Sequence, residues 1–404
     1  MIPSLDVVTA ARPGVRGAAF AELAKQGPVH RVAIPGTGEV WLVTGYPQLR
    51  AALLDPRLVK GPSFTNARAT RLRPELSRAL YTHMLAVDGD EHARLRRLVN
   101  VAFTSRRMEA LGTRVREIAD ELLDALASEG PDAVVDLTQG YAYQLPLVVI
   151  FEMIGLPGAD RDFFHRNVEL IMSGPDALED DVAAALEEVV PMLRDVIATR
   201  RADPADDLVD ALIGARDSGD RLSDDELTSM LFTLLLAGHE TTAGLIGNGT
   251  LALLSHPDQL VRLRADPELM HSAIDELLRF DPPVQIALPL IATEDLQIAG
   301  APIAAGQVVL VALFAANHDV AFVPDPEILD LGRPHHAHVA FGHGVHHCLG
   351  ATLARVEGRI ALGALVERFP DMALATDPDN LRYLSNVLFN RLGALPVRLG
   401  KDGK

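Results

Sequence analysis

The sequence predicts a mainly α-helical protein with small β-sheets, and three observations support this fold class. Apolar residues recur at helical spacing across most of the stretch from Glu91 to Val366. The β-like stretches are short, beginning with VHRVAIPG and EVWLVTG around a Gly-Thr-Gly turn that predicts a hairpin. No linker, internal repeat or low-complexity tract is visible, so we expect one large domain over residues 1–404.

The hydrophobic pattern also places the individual elements. Helices are expected over roughly 91–103, 107–129, 139–155, 159–172, 180–202, 223–254, 268–280 and 351–369. Further short strands are expected within 286–312 and 381–399. The stretch 313–350 contains Pro324, Pro326 and Pro334 and is predicted to be irregular. An irregular segment of that length inside a compact domain points to a functional role.

Composition excludes several classes of function. The net charge of −18 argues against nucleic acid or an anionic membrane as a general partner. A single cysteine allows no internal disulfide and fits a reducing compartment. The N-terminal stretch lacks the basic and apolar regions of a signal peptide, and the most apolar run, SMLFTLLLAG, stops at His239 and Glu240. We therefore expect a soluble cytoplasmic protein with no membrane partner.

The only cysteine, Cys348, lies in the segment FGHGVHHCLG. Gly342, Gly344 and Gly350 allow the backbone to approach another group closely or to adopt positive φ. Apolar residues at helical spacing begin at Leu349, which places the cysteine at a helix N-terminus, where the dipole and the amide groups stabilise a thiolate.

Four interpretations of Cys348 follow from these residues. It could be a small buried apolar residue. It could bind zinc with His343, His346 and His347, although structural zinc sites draw their ligands from separated segments. It could be a nucleophile, given a base placed by the fold. A thiolate ligand of haem iron, which needs a rigid turn, amide hydrogen bonds to sulfur and a basic group for a propionate, fits best.

A second pattern, LLLAGHETTAG, falls in the middle of the helix predicted over 223–254. Ser223 and Glu226 form a capping-box pattern at its start. Gly238, Glu240 and Thr241 interrupt its apolar middle, where a glycine costs about 1 kcal/mol relative to alanine. A polar helix face meeting water is the alternative to a functional site.

Two charged patterns are weaker when taken alone. Glu276 and Arg279 are three residues apart on a predicted helix, which is ordinarily a solvated pair. His92 and Arg96 share one face of an earlier helix, which could be an ordinary basic helix.

Taken together, these patterns make the chain resemble the cytochrome P-450 superfamily over essentially its whole length. The ten-residue pattern from Phe341 to Gly350 is similar to the haem-binding loop of that superfamily. The resemblance implies the cytochrome P-450 fold, with haem b between the long central helix and the cysteine loop. It implies the following roles: Cys348 as axial ligand of the haem iron; His92, Arg96 and His346 at the haem propionates; Glu240 and Thr241 as the relay of protons to dioxygen; and Glu276, Arg279 and Arg333 as a structural lock behind the haem.

The resemblance implies a haem-thiolate monooxygenase that hydroxylates or epoxidises a bulky apolar small molecule with O2. The chain most resembles soluble actinobacterial members that tailor polyketide macrolides and related secondary metabolites. Electrons are expected from a soluble ferredoxin and its reductase. The ferredoxin is expected to dock on a basic patch formed by Arg94, Arg97, Arg106, Arg107, Arg355 and Arg359. The alternatives are a peroxide-driven peroxygenase and a non-catalytic haem-binding paralogue.

Apolar residues around the expected haem are candidates for the substrate pocket, and each could instead be an ordinary core residue. They are Phe64, Met84, Leu85, Val87, Phe232, Leu236, Ala237, Ala287, Leu288, Pro289, Leu290, Val387, Leu388 and Phe389. One of them departs from the family's pattern, because related members carry a propionate-binding arginine where this chain has Leu290. His318 or Arg391 could compensate, or the alignment could slip locally.

Overall fold

Helices account for most of the computed structural model, which describes residues 15–34, 38–60, 73–156, 163, 166–167, 170–171, 179–217, 220–334, 337–384 and 387–403. The predicted α-rich fold with small sheets is confirmed. In chain order the α-helices are α1 Val15–Ala24, α2 Tyr46–Leu54, α3 Pro74–Tyr81, α4 Gly89–Asn100, α5 Ser105–Ala110, α6 Gly112–Ala127, α7 Gln144–Met153, α8 Glu179–Ala202, α9 Leu208–Gly214, α10 Asp224–Ser255, α11 Pro257–Ala265, α12 Met270–Phe280, α13 Leu313–Asn317 and α14 Ala351–Arg368.

The strands are short. They are β1 Val29–Ile34, β2 Gly38–Val43, β3 Leu58–Val59, β4 Val134–Asp136, β5 Arg216–Asp217, β6 Asp220–Arg221, β7 Leu290–Ala292, β8 Leu296–Ile298, β9 Ala301–Ile303, β10 Val308–Val311, β11 Ala373–Leu374 and β12 Pro396–Arg398. The largest sheet has five strands in the order β1-β2-β10-β7-β3, and a second has three in the order β11-β12-β4.

The predicted N-terminal hairpin is present. Strands β1 and β2 pair antiparallel from Val29 opposite Val43 to Ile34 opposite Gly38. Strand β10 then joins β2 in parallel, with Val309 opposite Trp41. The hairpin is therefore the edge of the five-stranded sheet.

Helix α10 is the longest described helix, with 32 residues. Its length and composition alone would allow it to cross a membrane, but 78% of its most apolar window is buried inside the protein. The mostly buried core helix of a soluble protein passes the same test of length and composition.

Helix α14, which follows the cysteine, packs closely on the second half of α10. A Cβ atom on Gly358 would lie 2.8 Å from Leu245 Cδ2, and one on Gly249 would lie 3.0 Å from Leu362 Cδ1. Larger residues at these two glycines would push the helices apart. The close approach fixes the position of α14 relative to the part of α10 that begins at Glu240.

The chain divides into two compact units. The first comprises Met1–Leu58, Leu111–Pro146 and Glu240–Lys404, and the second comprises Val59–Ala110 and Leu147–His239. The boundary between them falls within α10. The expectation of a single domain over residues 1–404 stays a prediction.

The helices differ from the predicted ones in a few places. The helix expected over 107–129 is two helices, α5 and α6, and the one expected over 139–155 begins as a π-helical turn at Thr138–Ala142 before α7. Helices α1, α2, α3, α9, α11 and α13 were not predicted. Most of the helix expected over 159–172 lies outside the described residues.

Glu357 lies on α14 and is only 2% exposed. Its Oε2 atom has no hydrogen-bond partner among the described residues. Burial raises the pKa of this carboxyl from 4.5 to about 8. Between these two values the unfolded chain ionises Glu357 while the folded protein keeps it protonated, so stability falls as pH rises through this window.

We therefore expect Glu357→Gln to flatten the pH dependence of stability between pH 4.5 and about 8. The wild-type slope should be steeper by up to about 1.4 kcal/mol per pH unit. Thermal unfolding midpoints across this window measure the difference. Glu367→Gln, on the same helix but with a side chain that is 70% exposed, is the control and should leave the slope unchanged. Equal slopes in the wild type and Glu357→Gln would contradict the assignment.

Candidate functional site

The cysteine loop is closed by its own backbone. The Cys348 N–H donates a hydrogen bond of 2.9 Å to the Phe341 carbonyl oxygen. Gly342 and Gly344 have φ angles of 73° and 78°, in the left-handed region that favours glycine. A Cβ on Gly344 would also lie 3.0 Å from the Leu53 carbonyl oxygen. Gly342 and Gly344 are thus required for the shape of this loop, whereas Gly350, the third glycine that the sequence singled out, has a φ of −83° and open space at its Cβ position.

Cys348 is exposed and lies just before α14. The Gly350 carbonyl accepts the first helical hydrogen bond, 2.9 Å from Ala354 N, which confirms the predicted helix start. Exposure argues against the interpretation as a small buried apolar residue. The described residues also contain no cluster of three or more His, Cys, Asp or Glu side chains that could hold a metal ion, which disfavours the zinc interpretation.

The start of α10 carries the predicted capping box. Ser223 N donates to Glu226 Oε2 at 2.7 Å, and Glu226 N donates to Ser223 Oγ at 3.3 Å. This reciprocal pair satisfies two backbone amides that the helix leaves open.

The middle of α10 is more exposed than most of the helix. Ala237 is exposed, and Leu236, Gly238 and Thr241 are half-buried, although most neighbouring residues on the helix are buried. A Cβ on Gly238 would meet only Ile150 Cδ1, at 3.8 Å. Small residues therefore leave room beside the helix directly before the Glu240–Thr241 pair.

Glu240 is buried and forms an ion pair with Arg391. Arg391 Nε lies 3.0 Å from Glu240 Oε2, and the two side chains are 11% and 5% exposed. The Arg391 guanidinium also lies over the ring of Tyr143, 5.3 Å from its centroid. The cation is thus held from two sides, and its positive charge stabilises the Glu240 carboxylate, for which the family resemblance implies a role in proton transfer.

The residue before Arg391 anchors the terminal segment. The Asn390 side-chain amide donates to Asp281 Oδ1 at 2.7 Å, and its backbone N–H donates to the Pro283 carbonyl at 2.8 Å. Asn248, on α10, donates to the Asn390 carbonyl at 2.9 Å. These bonds tie the segment to α10 and to the turn after α12, so the position of Arg391 is fixed by its neighbours as well as by Glu240.

Glu276 of α12 binds two arginines. Arg279 donates from Nε to Glu276 Oε2 at 2.7 Å and from Nη2 to Oε1 at 2.9 Å. Arg333 Nε lies 3.1 Å from the same Oε1. Arg279 also donates to carbonyls of Asn317, Pro326 and Ile328. The cluster is buried and joins α12 to the irregular segment that leads to the cysteine.

The second unit contains the predicted propionate ligands on α4. His92 is buried and Arg96 is half-buried, and both lie on the helix Gly89–Asn100. Arg94, on the same helix, pairs with Glu226 and with Asp220, at 3.1 Å from the latter. His346, in the first unit, lies in a short 3₁₀ turn at Gly344–His346 and is half-buried.

The pocket candidates differ in burial. Met84, Phe232, Pro289 and Leu290 are buried, whereas the following are half-buried: Leu85, Val87, Leu236, Ala287, Leu288, Val387, Leu388 and Phe389. Phe64 lies outside the described residues. Contact with a substrate stays a prediction for all of them.

Leu290 belongs to an apolar core cluster with Ala292, Val309 and Val311. Neither group considered as a replacement for the missing arginine is available without breaking another contact. Arg391 pairs with Glu240, and His318 Nδ1 lies 2.9 Å from the Phe314 carbonyl. Burial lowers the pKa of His318 to about 3, so this ring is neutral near pH 7.

Comparison with known proteins shows to which family the chain belongs. The model of the cytochrome P450 family matches residues 16–386. The vitamin D(3) 25-hydroxylase of Pseudonocardia autotrophica is 43% identical over 383 residues, covering 95% of this chain and 93% of that protein. The mycinamicin IV hydroxylase/epoxidase of Micromonospora griseorubida is 43% identical over 379 residues, covering 94% of each.

Solved structures agree with the sequence comparison. The tirandamycin C-bound P450 monooxygenase TamI has a TM-score of 0.88 and 40% identity, with 99% of this chain and 100% of that chain covered. The match thus includes the cysteine loop, the central helix and both compact units. The chain belongs to the cytochrome P450 family.

Proposed function

We propose that this cytochrome P450 monooxygenase hydroxylates or epoxidises a bulky apolar small molecule in polyketide, macrolide or related secondary-metabolite biosynthesis. The exposed Cys348, in a rigid loop at the start of α14, carries the proposal. The relatives support the substrate class, because one is named a mycinamicin IV hydroxylase/epoxidase and another structure is bound to tirandamycin C.

The residues of the first unit fit a haem with a thiolate ligand. Cys348 is exposed, and its amide is already bonded to Phe341, so the loop is rigid around the sulfur. We infer haem b as the cofactor, with Cys348 as its axial ligand and His346, His92 and Arg96 as the groups that bind its propionates. A thiolate-ligated haem supplies the activation of O2 and favours cleavage of its O–O bond.

Glu240 and Thr241 are proposed to deliver protons. Arg391 Nε lies 3.0 Å from Glu240 Oε2, and we propose that this ion pair holds the carboxylate in one position. Thr241 is half-buried, next to the open part of α10 at Ala237. A proton taken up by the Glu240 carboxylate passes in this proposal to the Thr241 hydroxyl, which releases its own proton toward dioxygen. The family resemblance implies these roles for both residues. Arg391 acts through Glu240 and is a positioning residue.

We expect Arg391→Gln to lower the yield of product per electron by about tenfold, with little change in substrate affinity; the loss is smaller than the ~10²–10⁴-fold typical of removing an acid–base group itself, because Glu240 remains. Without the guanidinium, the buried carboxylate loses the ion pair that we propose to fix its position. Thr241→Ala should have the same effect, diverting electrons to peroxide and water. NADPH consumption, peroxide release and product are measured together, with substrate affinity from spectral titration.

Arg391→Lys keeps the charge and should restore part of the coupling. Arg398→Gln, an exposed arginine near the same end of the chain, should behave as the wild type. Full coupling in Arg391→Gln would show that the ion pair has no part in proton delivery.

The electron donor is proposed to be a soluble ferredoxin with its reductase, and the location to be cytoplasmic, in line with the single cysteine. Among the arginines expected to attract the ferredoxin, Arg94 pairs with Glu226 and Arg355 pairs with Asp275. Arg97 and Arg106 are exposed. Exposed charges contribute to steering that added salt weakens.

Three measurements on the haem-loaded protein test the proposed function. The ferrous–carbon monoxide spectrum should show the red-shifted band of a thiolate ligand. A macrolactone should produce a saturable spectral change, whereas a small polar molecule should not. Product should form with ferredoxin, reductase and NADPH. Turnover as fast with peroxide alone would favour the peroxygenase, and binding without any product would favour the non-catalytic paralogue.

A further inference from the structure

The ring of Phe341 contacts two ionisable side chains. The carbonyl of the same residue accepts the hydrogen bond from the Cys348 amide. The Arg355 guanidinium lies over the ring, 4.5 Å from its centroid. The His338 ring lies on another side, with its centroid 5.7 Å from that of Phe341 and tilted by 47°. A guanidinium over an aromatic face is favourable and brings a full positive charge beside the cysteine loop.

Asp275, on α12, holds both of these groups. Its Oδ1 lies 2.8 Å from Arg355 Nε and 3.1 Å from His338 Nε2. The His338 side chain is 4% exposed, and that of Asp275 is 23% exposed. Burial acts to raise the pKa of Asp275, but the hydrogen bond from His338 and the charge of Arg355 outweigh it and hold that pKa below 3.8.

The hydrogen bonds of His338 define its tautomer. The Ala340 N–H donates to His338 Nδ1 at 3.1 Å, so Nδ1 is an acceptor. The ring proton is then on Nε2, where it donates to Asp275 Oδ1. His338 is therefore neutral in this arrangement, and the cluster contains one cation and one anion, with the cation against Phe341.

We propose that Asp275, Arg355 and His338 form a proximal charge cluster that sets the reduction potential of the haem by holding a cation against Phe341. The inference rests on the proposed function, because it takes Cys348 as the haem ligand. Reduction of the haem adds one electron, and a nearby positive charge stabilises the added negative charge. The cluster acts through Phe341 and the cysteine loop, so its members are positioning residues.

The two charges predict shifts of opposite sign. Arg355→Gln removes the cation and leaves Asp275 negative, so the midpoint potential should fall. Asp275→Asn removes the anion and leaves Arg355 positive, so the potential should rise. Each shift should be on the order of tenfold in the reduction equilibrium constant, which is about 59 mV for one electron.

Two further variants separate charge from structure. Arg355→Lys keeps the charge and should shift the potential less than Arg355→Gln. Arg359→Gln removes the same charge one helical turn further along α14, where the arginine meets His271 instead of Phe341. It should leave the potential close to the wild-type value.

The test is equilibrium redox titration of the haem-loaded protein, without ferredoxin, followed by the ferrous–carbon monoxide spectrum of each variant. Opposite shifts for Arg355→Gln and Asp275→Asn, with the thiolate band retained, support the proposal. Equal potentials in all variants, with the band retained, would overturn the proposal. The cluster would then serve only as a structural link between α12 and α14. Loss of the band in the wild type would instead overturn the proposed function.

Discussion

Cys348→Ser is expected to abolish the red-shifted ferrous–carbon monoxide band and to reduce turnover to background. A serine hydroxyl is nearly isosteric with the thiol, but it does not supply the soft, anionic sulfur that favours O–O cleavage. The loop should keep its shape, because its closing bond runs from the backbone of residue 348 to the Phe341 carbonyl. The spectrum of the reduced protein under carbon monoxide and product formation with ferredoxin and reductase measure the two effects.

The matched control is Val345→Ala in the same loop. Val345 is 63% exposed, so its truncation should disturb neither the backbone nor the sulfur. Haem content is determined for both variants, which separates loss of the ligand from loss of the cofactor. A Cys348→Ser protein with an unaltered thiolate band would refute the assignment of the axial ligand.

Arg279→Gln is expected to lower the free energy of unfolding by about 3–5 kcal/mol. The change leaves Glu276 with only one of its two arginines, in a site where its side chain is 5% exposed. It also removes the donors to the Asn317, Pro326 and Ile328 carbonyls. Those carbonyls belong to the segment leading to the cysteine loop, so we also expect faster loss of haem to an acceptor protein.

Arg201→Gln provides the comparison, since Arg201 forms an ion pair with Asp224 in which the side chains are 43% and 74% exposed. Breaking an exposed pair should cost about 0–1 kcal/mol. Denaturant unfolding and the rate of haem transfer are measured for both proteins. Equal costs for the two variants would mean that the buried cluster does not hold the irregular segment.

Structural features that depend on a few adjacent residues could be predicted from the sequence. The start of α10 follows from Ser223 and Glu226, whose reciprocal bonds are formed within one helical turn. The hairpin follows from two β-like stretches around a short turn. The short helices α2, α3 and α11 were missed because they are too brief for a clear apolar period. Their usable signal was a proline at the helix start, at Pro47, Pro74 and Pro257.

Partners far apart in the chain carry no such local signal. The family resemblance implied a role in proton transfer for Glu240, but nothing near it in the sequence indicated Arg391 as its partner, which lies beyond β10 and α14 in the chain. In the same way, Asp275, His338 and Arg355 lie in three separate parts of the chain and meet only after α12, the segment before the cysteine loop and α14 have packed. The charges that act on the site are thus set by tertiary packing.

The anchored terminal segment has a consequence for engineering this enzyme. Val387, Leu388 and Phe389, which we predict to line the substrate pocket, directly precede Asn390 and Arg391, and libraries that alter substrate choice would target them. Gln285 binds the Val387 and Leu388 carbonyls, so substitutions here strain the same short stretch that holds Glu240. Selection for a new substrate at these positions should therefore yield variants that waste reducing equivalents, and screens that score product per NADPH will retain the useful ones.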